Sequence, residues 1–149
     1  MIFVEAFYRK MATQKWRQQD YKKAAEYYEK VLELSPKDFD IQQHYAQCLV
    51  KLNIGKKAER LFYENIVKDF HVAESFYELS QLNIELNEPN KAFLFGINYV
   101  ILSEDKDFRE MLEKTFEVAY TNEQKIELEA QLFSTQLLFQ FLFSQGRLE

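Results

Sequence analysis

The sequence has 149 residues, of which 47 % are hydrophobic and 29 % are charged, a composition that excludes a disordered chain and allows one folded domain. The formal net charge of −5 disfavours a nucleic-acid partner, because an acidic surface repels phosphates. Cys48 is the only cysteine, so the chain cannot form an internal disulfide, as expected of a cytoplasmic protein. No stretch reaches the ~18 apolar residues of a membrane span, and Glu5 interrupts the apolar start too early for an export signal.

The first predicted unit is a pair of helices within residues 5–38. Apolar residues recur at helical spacing before Gln18 and again after Asp20, so the turn lies between these two stretches. Asp20 is a suitable N-cap for the second helix. Ser35 and Pro36 are expected to end that helix, because proline keeps the residue before it out of the α-helical region.

The same arrangement recurs along the chain with a step of 34 residues. A constant step of this length indicates stacked helix–turn–helix units. Asn53 and Asn87 mark the later turns, and Pro89 suits the first turn of a helix. The predicted units are repeat one (about 5–38), repeat two (39–72) and repeat three (73–106). The recurring positions are Ala24, Ala58 and Ala92; Met11, Tyr45 and Leu79; Ala12, Ala46 and Ser80; Leu32, Ile66 and Val100; Tyr21, Gly55 and Pro89.

Small residues at fixed positions predict where the paired helices come closest. Ala12 and Ala24, with their equivalents in the later units, would form this contact, and larger neighbours would fill the space on either side.

The pattern degrades within residues 107–149, which we interpret as a degenerate fourth unit followed by a C-terminal apolar helix. Thr121 to Gln124 has the form of a capping box, and a long apolar stretch runs from Ile126 to Phe143. The last residues resemble the turn of a further hairpin, so the chain is expected to be a fragment of a longer repeat protein. Leu148 and Glu149 are either native residues or a cloning remnant.

The stretch QDYKKAAEYYEKVLELSP, from Gln19 to Pro36, resembles the second half of a tetratricopeptide repeat. The resemblance covers about residues 5–104, and the step of 34 residues is that of the family. The later units depart from the pattern: Asn65 replaces a small apolar residue, and Gly96 replaces an aromatic one. The resemblance implies an all-α, right-handed α-solenoid of stacked antiparallel hairpins, with seven or eight helices in a single domain.

The resemblance also implies a concave groove, lined by the first helix of each hairpin, that binds a peptide or protein. The groove would change from basic near repeat one to acidic near repeat three. The tryptophan Trp16 is either a hot spot for a partner or ordinary packing against the N-terminal helix. The implied groove residues are Arg9, Thr13, Trp16, Arg17, Asp40, Gln43, Gln47, Val50, Lys51, Glu74, Tyr77, Gln81, Ile84 and Glu85.

Some members of the family grip a chaperone's C-terminal carboxylate with lysine, asparagine and arginine. Glu74 and Glu78 occupy two of the positions where such members have cations. Because two carboxylates would repel the ligand carboxylate, we do not expect this binding mode.

No catalytic, cofactor or metal site is predicted. His44 and His71 lie far apart in the sequence, so the two histidines do not form a metal-ligand pair. Cys48 follows His44 by one helical turn, but nothing in the sequence supplies an oxyanion hole, so a buried thiol is the preferred interpretation.

The phenylalanine-rich end supports a second hypothesis from a different functional class. Phe133 and Leu137 are expected to pack on the preceding hairpin, which leaves an apolar face that needs another partner. That partner would be the missing half of a hairpin or a second copy of the chain, giving a homodimer. The candidate self-association residues are Phe139, Phe141, Leu142 and Phe143.

Overall fold

The computed structural model describes residues 2–116 and 123–144. Every regular element in these ranges is an α-helix. The all-α fold and the helical repeats are therefore confirmed, with eight helices in the described part of the chain. They are α1 (Ile2–Arg17), α2 (Tyr21–Leu34), α3 (Phe39–Lys51), α4 (Gly55–Val67), α5 (Val72–Glu85), α6 (Pro89–Ser103), α7 (Lys106–Phe116) and α8 (Glu123–Ser144).

The chain divides into two compact units, whereas the sequence suggested one domain. The N-terminal unit comprises residues 1–71 and the C-terminal unit residues 72–149, a division close to the expected start of repeat three. In the N-terminal unit, α1 packs on α2, α2 on α3, and α3 on α4. In the C-terminal unit, α5, α7 and α8 all pack on α6.

The turns inside the three hairpins confirm the step of 34 residues. The second helix of each hairpin begins at Tyr21, Gly55 or Pro89. Two residues before each of these starts, the backbone is left-handed, with φ of 59° at Gln19, 61° at Asn53 and 58° at Asn87. Asparagine tolerates this conformation better than most residues with a side chain, which explains its recurrence at two of the three turns.

The predicted caps and stops also lie at the helix ends. The Asp20 carboxylate accepts a hydrogen bond from the Lys23 amide at 3.2 Å, and α2 ends just before Ser35. Asp38 caps α3 in the same way, accepting from the Ile41 amide at 3.1 Å. The capping box predicted at 121–124 falls largely outside the described residues, as does the turn predicted after Ser144.

The recurring small residues are fully buried, as the packing argument predicts. Ala12, Ala24, Ala46 and their equivalents have no exposed surface. In repeat three the small residue is Ser80, whose hydroxyl donates to the Ala92 carbonyl oxygen at 2.7 Å. This bond satisfies the hydroxyl inside the close contact between α5 and α6.

Gly96 explains how repeat three departs from the repeats before it. Tyr28 and Phe62 occupy the equivalent positions and are buried aromatic residues. A Cβ atom at Gly96 would lie only 2.7 Å from Leu112 Cδ1, so the missing aromatic ring leaves the space that Leu112 of α7 fills. The core of the C-terminal unit continues from there through Leu112 to Ala130 of α8.

Candidate protein-interaction surfaces

An open hollow of about 730 Å³ runs along one face of α1. Three of the four groove residues expected on this helix line it, namely Arg9, Thr13 and Arg17. The full lining is Arg9, Lys10, Thr13, Gln14, Arg17 and Gln18. The hollow is therefore polar and carries three cationic side chains.

Arg9 is held in place by two carboxylates of its own unit. Its Nη2 donates to Glu5 Oε1 at 2.8 Å and also to Asp38 Oδ2 at the start of α3. The pKa of Glu5 is lowered, first by a hydrogen bond from Ser35 and then by the bond from Arg9. Burial raises the pKa of Asp38, but the hydrogen bonds from Arg9 and the Ile41 amide outweigh burial and bring it below its ordinary value. Much of the Arg9 charge is therefore neutralised within the N-terminal unit.

Lys10 and Arg17 differ from Arg9, since both side chains are exposed. In the described part of the chain neither of them forms an ion pair with a carboxylate. A partner can therefore bind these two cations without breaking an ion pair among the described residues.

Trp16 lies half-buried beside the start of α2 rather than in the lining of the hollow. Its ring meets that of Tyr21 edge to face, with the centroids 5.1 Å apart. The packing role weighed for Trp16 in the sequence is therefore observed, although the contact is made to α2.

The α3 positions implied by the resemblance divide between surface and interior. Lys51 is exposed at the end of α3, and Gln47 is half-buried. Gln43 is only 3 % exposed, which contradicts its expected place in a groove. Its Oε1 accepts a hydrogen bond from Asn65 Nδ2 at 2.7 Å, because the polar residue at position 65 needs buried partners.

Three of the five positions implied in repeat three, Tyr77, Gln81 and Glu85, also differ from one another. Tyr77 packs against Tyr99 and Phe108, with ring centroids 5.2 Å away in both cases, so it belongs to an aromatic cluster of the C-terminal unit. Gln81 is half-buried, and Glu85 is exposed at the end of α5.

A second hollow, which the sequence did not indicate, lies beside the loop between α2 and α3. It measures about 590 Å³, and its lining includes Phe39 and Phe70, whose ring centroids are 5.1 Å apart. Beside it His71 contacts the carboxylate of Asp40, a residue that the resemblance placed in the groove. Phe70 and His71 follow α4 in a turn with a left-handed backbone at His71, and the repeat pattern carries no signal for such a contact.

The two residues considered for chemistry, Cys48 and His44, have different surroundings. Burial raises the pKa of the Cys48 thiol to about 12, so it stays protonated at neutral pH, unlike a nucleophilic thiolate. His44 instead stacks on Tyr28 at 6.0 Å. Across residues 2–116 and 123–144, no three metal-ligating side chains are grouped, and none of the helices there is long and apolar enough to cross a membrane.

The phenylalanine-rich helix α8 has one packed face and one open face. The ring of Phe133 meets that of Phe95 at 5.6 Å, which confirms that it packs on the preceding hairpin. Phe139 and Phe143 are 59 % and 65 % exposed and line a hollow of about 440 Å³ with Gln140 and Ser144. Phe141 and Leu142 are half-buried, so the four candidate self-association residues are not equally accessible.

The model of the tetratricopeptide repeat family matches residues 15–62, from the end of α1 to the middle of α4. The matched segment is about a third of the chain. Among solved structures, the crystal structure of the MamA protein is similar in fold, with a TM-score of 0.67 and 17 % sequence identity. That alignment covers 99 % of this chain and 85 % of the other. No curated protein sequence matches the chain.

The tetratricopeptide match confirms the family suggested by the stretch from Gln19 to Pro36. At 17 % identity, the MamA likeness supports the fold alone, an all-α helical repeat.

Proposed function

We propose that this chain is a protein-interaction scaffold that binds a partner peptide on the α1 face of its N-terminal unit. Proteins with tetratricopeptide repeats bind other proteins or peptides, which supports the general role. The observation that carries the specific site is the open polar hollow lined by Arg9, Lys10, Thr13 and Arg17.

The charges of this hollow favour a peptide with acidic side chains. Lys10 and Arg17 extend into solvent on a protein whose net charge is −5, so they form a local positive patch on an acidic molecule. Such a patch steers an acidic segment to one face and discriminates against basic ones. Arg9 adds hydrogen-bond donors at the edge but remains tied to Glu5 and Asp38.

The test is a displayed peptide library probed with the parent protein and with a variant carrying Lys10→Glu and Arg17→Glu. We expect acidic peptides to be enriched by the parent and their affinity to fall about tenfold or more in the variant, which corresponds to about 1.4 kcal/mol. Neither substitution removes a buried contact, so the helical content should not change.

The matched control carries Lys22→Glu and Lys23→Glu, which make the same charge change at exposed positions of α2. This control should bind like the parent. Equal loss of binding in both variants would mean that only net charge matters, and enrichment of basic or apolar peptides would contradict the proposed site.

A second candidate function, self-association through α8, is favoured by the exposure of Phe139 and Phe143. Exposed aromatic residues that line a hollow are typical of interaction sites rather than of ordinary surface. Replacing both residues with aspartate should lower the solution mass of an associated protein to that of the single chain. The matched control, Leu86→Asp with Leu102→Asp, changes two exposed leucines that lie outside α8 in the C-terminal unit and should leave the solution mass unchanged.

A further inference from the structure

Helix α8 is fixed to α6 through only one of its faces. Asn98 Nδ2 lies 2.9 Å from the Ala130 carbonyl oxygen and 2.8 Å from Ser134 Oγ, and Ala130 and Ser134 are both buried. These contacts, together with the Phe133–Phe95 pair, fix which side of α8 faces away from its own unit.

The side that faces away is apolar and has a regular spacing. Leu128 and Leu132 are 56 % and 61 % exposed, Phe139 is 59 % exposed, Thr135 is exposed and Leu142 is half-buried. Successive members of this set are four, three, four and three residues apart. We call Leu128, Leu132, Thr135, Phe139 and Leu142 the outer seam. This alternation of four and three is the heptad spacing by which one helix packs along another.

The charges around the outer seam indicate what kind of helix it accepts. Between Ile126 and Ser144 the only charged residues are Glu127 and Glu129, both near the start of the helix. The positions beside the seam are Glu129, Gln131, Gln136, Leu138 and Phe143, and among these only Glu129 carries a charge. Over residues 130–144 a charged partner helix would find no complementary charge, whereas a second copy of α8 meets no charge repulsion there.

We propose that two copies of this chain pair through their outer seams as antiparallel α8 helices, related by a two-fold axis at Thr135. This rests on the self-association proposed above and gives it a geometry. In a parallel pair, Glu129 of each copy would lie at the same level as its equivalent and repel it. In the antiparallel pair, Glu129 lies at the level of the uncharged C-terminal part of the other helix.

The sizes of the seam residues fit the same axis. Thr135 is the middle member of the seam, so in the antiparallel pair it faces its own equivalent. Its short side chain allows the helices to approach at the crossing, as Ala12 and Ala24 do within a hairpin. On either side Leu128 faces Leu142 of the second copy, and Leu132 faces Phe139 of the second copy, so each leucine meets a larger or equal apolar group.

The available area predicts a weak dimer. A fully buried phenylalanine removes ~150–250 Å² from water, so Phe139, which is already partly covered, contributes on the order of 120 Å². Adding the three leucines of the outer seam leaves the total below the ~800 Å² per partner that is typical of stable complexes. Association should therefore depend on concentration rather than persist at high dilution.

Cysteine crosslinking tests this geometry. Cys48 is fully buried, so only an introduced cysteine is expected to crosslink two copies of the chain. Under mild oxidation Thr135→Cys should form a covalent dimer by itself. Leu128→Cys alone and Leu142→Cys alone should stay monomeric, whereas an equimolar mixture of these two variants should crosslink. The parent chain is the control and should yield no covalent dimer.

The outcomes separate the geometry from the self-association on which it rests. Crosslinking of Leu128→Cys alone would show a parallel pair and overturn the antiparallel geometry, while self-association would stand. A parent that stays at the mass of one chain at high concentration, with no crosslinks, would overturn both. Phe7→Asp changes an exposed residue of α1. If this variant lost the dimer, the contact would involve α1 rather than α8, and the proposal would also be overturned.

Discussion

Helices α2 and α8 bury one face each, but they differ in what the other face carries. On α2, Ala24 and Tyr28 are buried, while the opposite side exposes charged residues such as Glu26 and Glu33. On α8, Ala130 and Ser134 are buried, while the opposite side exposes leucine and phenylalanine. A helix with a charged outer face needs nothing beyond its own hairpins, whereas one with an apolar outer face still has surface that favours removal from water. The repeated hairpins therefore carry the fold, whereas the C-terminal helix leaves apolar side chains exposed.

The largest expected effect on stability comes from placing the aromatic residue of the family pattern at Gly96, which packs against Leu112 of α7. Gly96→Phe would place a ring in the space that Leu112 occupies, so we expect it to destabilise the C-terminal unit by about 3 kcal/mol through overpacking. Urea unfolding followed by far-UV circular dichroism measures this effect. If the ring and Leu112 compete for one space, the double variant with Leu112→Ala should lose less stability than the two single losses added together. Simple additivity would contradict that packing.

A smaller effect is expected at Asn65, where a polar residue interrupts the apolar pattern of the repeats. Asn65 Oδ1 accepts from Gln42 Nε2 at 2.9 Å, and its Nδ2 donates to the Gln43 amide oxygen at 2.7 Å and to the Phe39 carbonyl oxygen at 3.1 Å. Asn65→Ala should cost on the order of 2 kcal/mol, because two buried glutamine amides lose a partner. The fluorescence of Trp16, which lies in the same unit, reports the unfolding. Gln14→Ala, a change at an exposed position of α1, is the control and should leave stability unaffected.

The smallest expected effect is a change in acid stability at Arg9. Glu5 and Asp38 have folded-state pKa values below their ordinary 4.5 and 3.8. Their contribution to stability is therefore present above about pH 4.5 and is lost as the pH falls through the lowered folded values. Arg9→Gln should raise the pH at which Trp16 fluorescence reports acid unfolding. Arg17→Gln, which removes an exposed cation without an ion pair among the described residues, should not; an equal shift in both variants would contradict the role assigned to the Arg9 ion pairs.

The sequence predicts the repeated part well because each signal there is local. The turn residues, the Asp20 cap and the small residues at a step of 34 all act within one hairpin, and the structure confirms them. The sequence also identifies Asn65 and Gly96 as departures from the pattern, but it does not reveal what compensates them. Their partners come from other helices, and no periodic signal connects Gly96 with Leu112 or Asn65 with Gln43.

The same limit applies to the candidate sites. The resemblance places Arg9, Thr13 and Arg17 together, and they do line one hollow. It also places Gln43 there, and the buried amide network of α3 and α4 removes that residue from the surface. For α8 the sequence predicts that the face of Phe133 packs inward, and it does. The sequence does not reveal the polar contacts made by Asn98, which reaches residues 32 and 36 positions further along the chain.

The most direct test of the claim that α8 presents an interaction surface is the solution mass of this chain by light scattering over a concentration series. We predict a mass near 18.0 kDa at high dilution that rises toward twice that value as the concentration increases. A mass that stays at 18.0 kDa throughout the series would contradict self-association through the outer seam, and the polar hollow on α1 would then be the remaining candidate site.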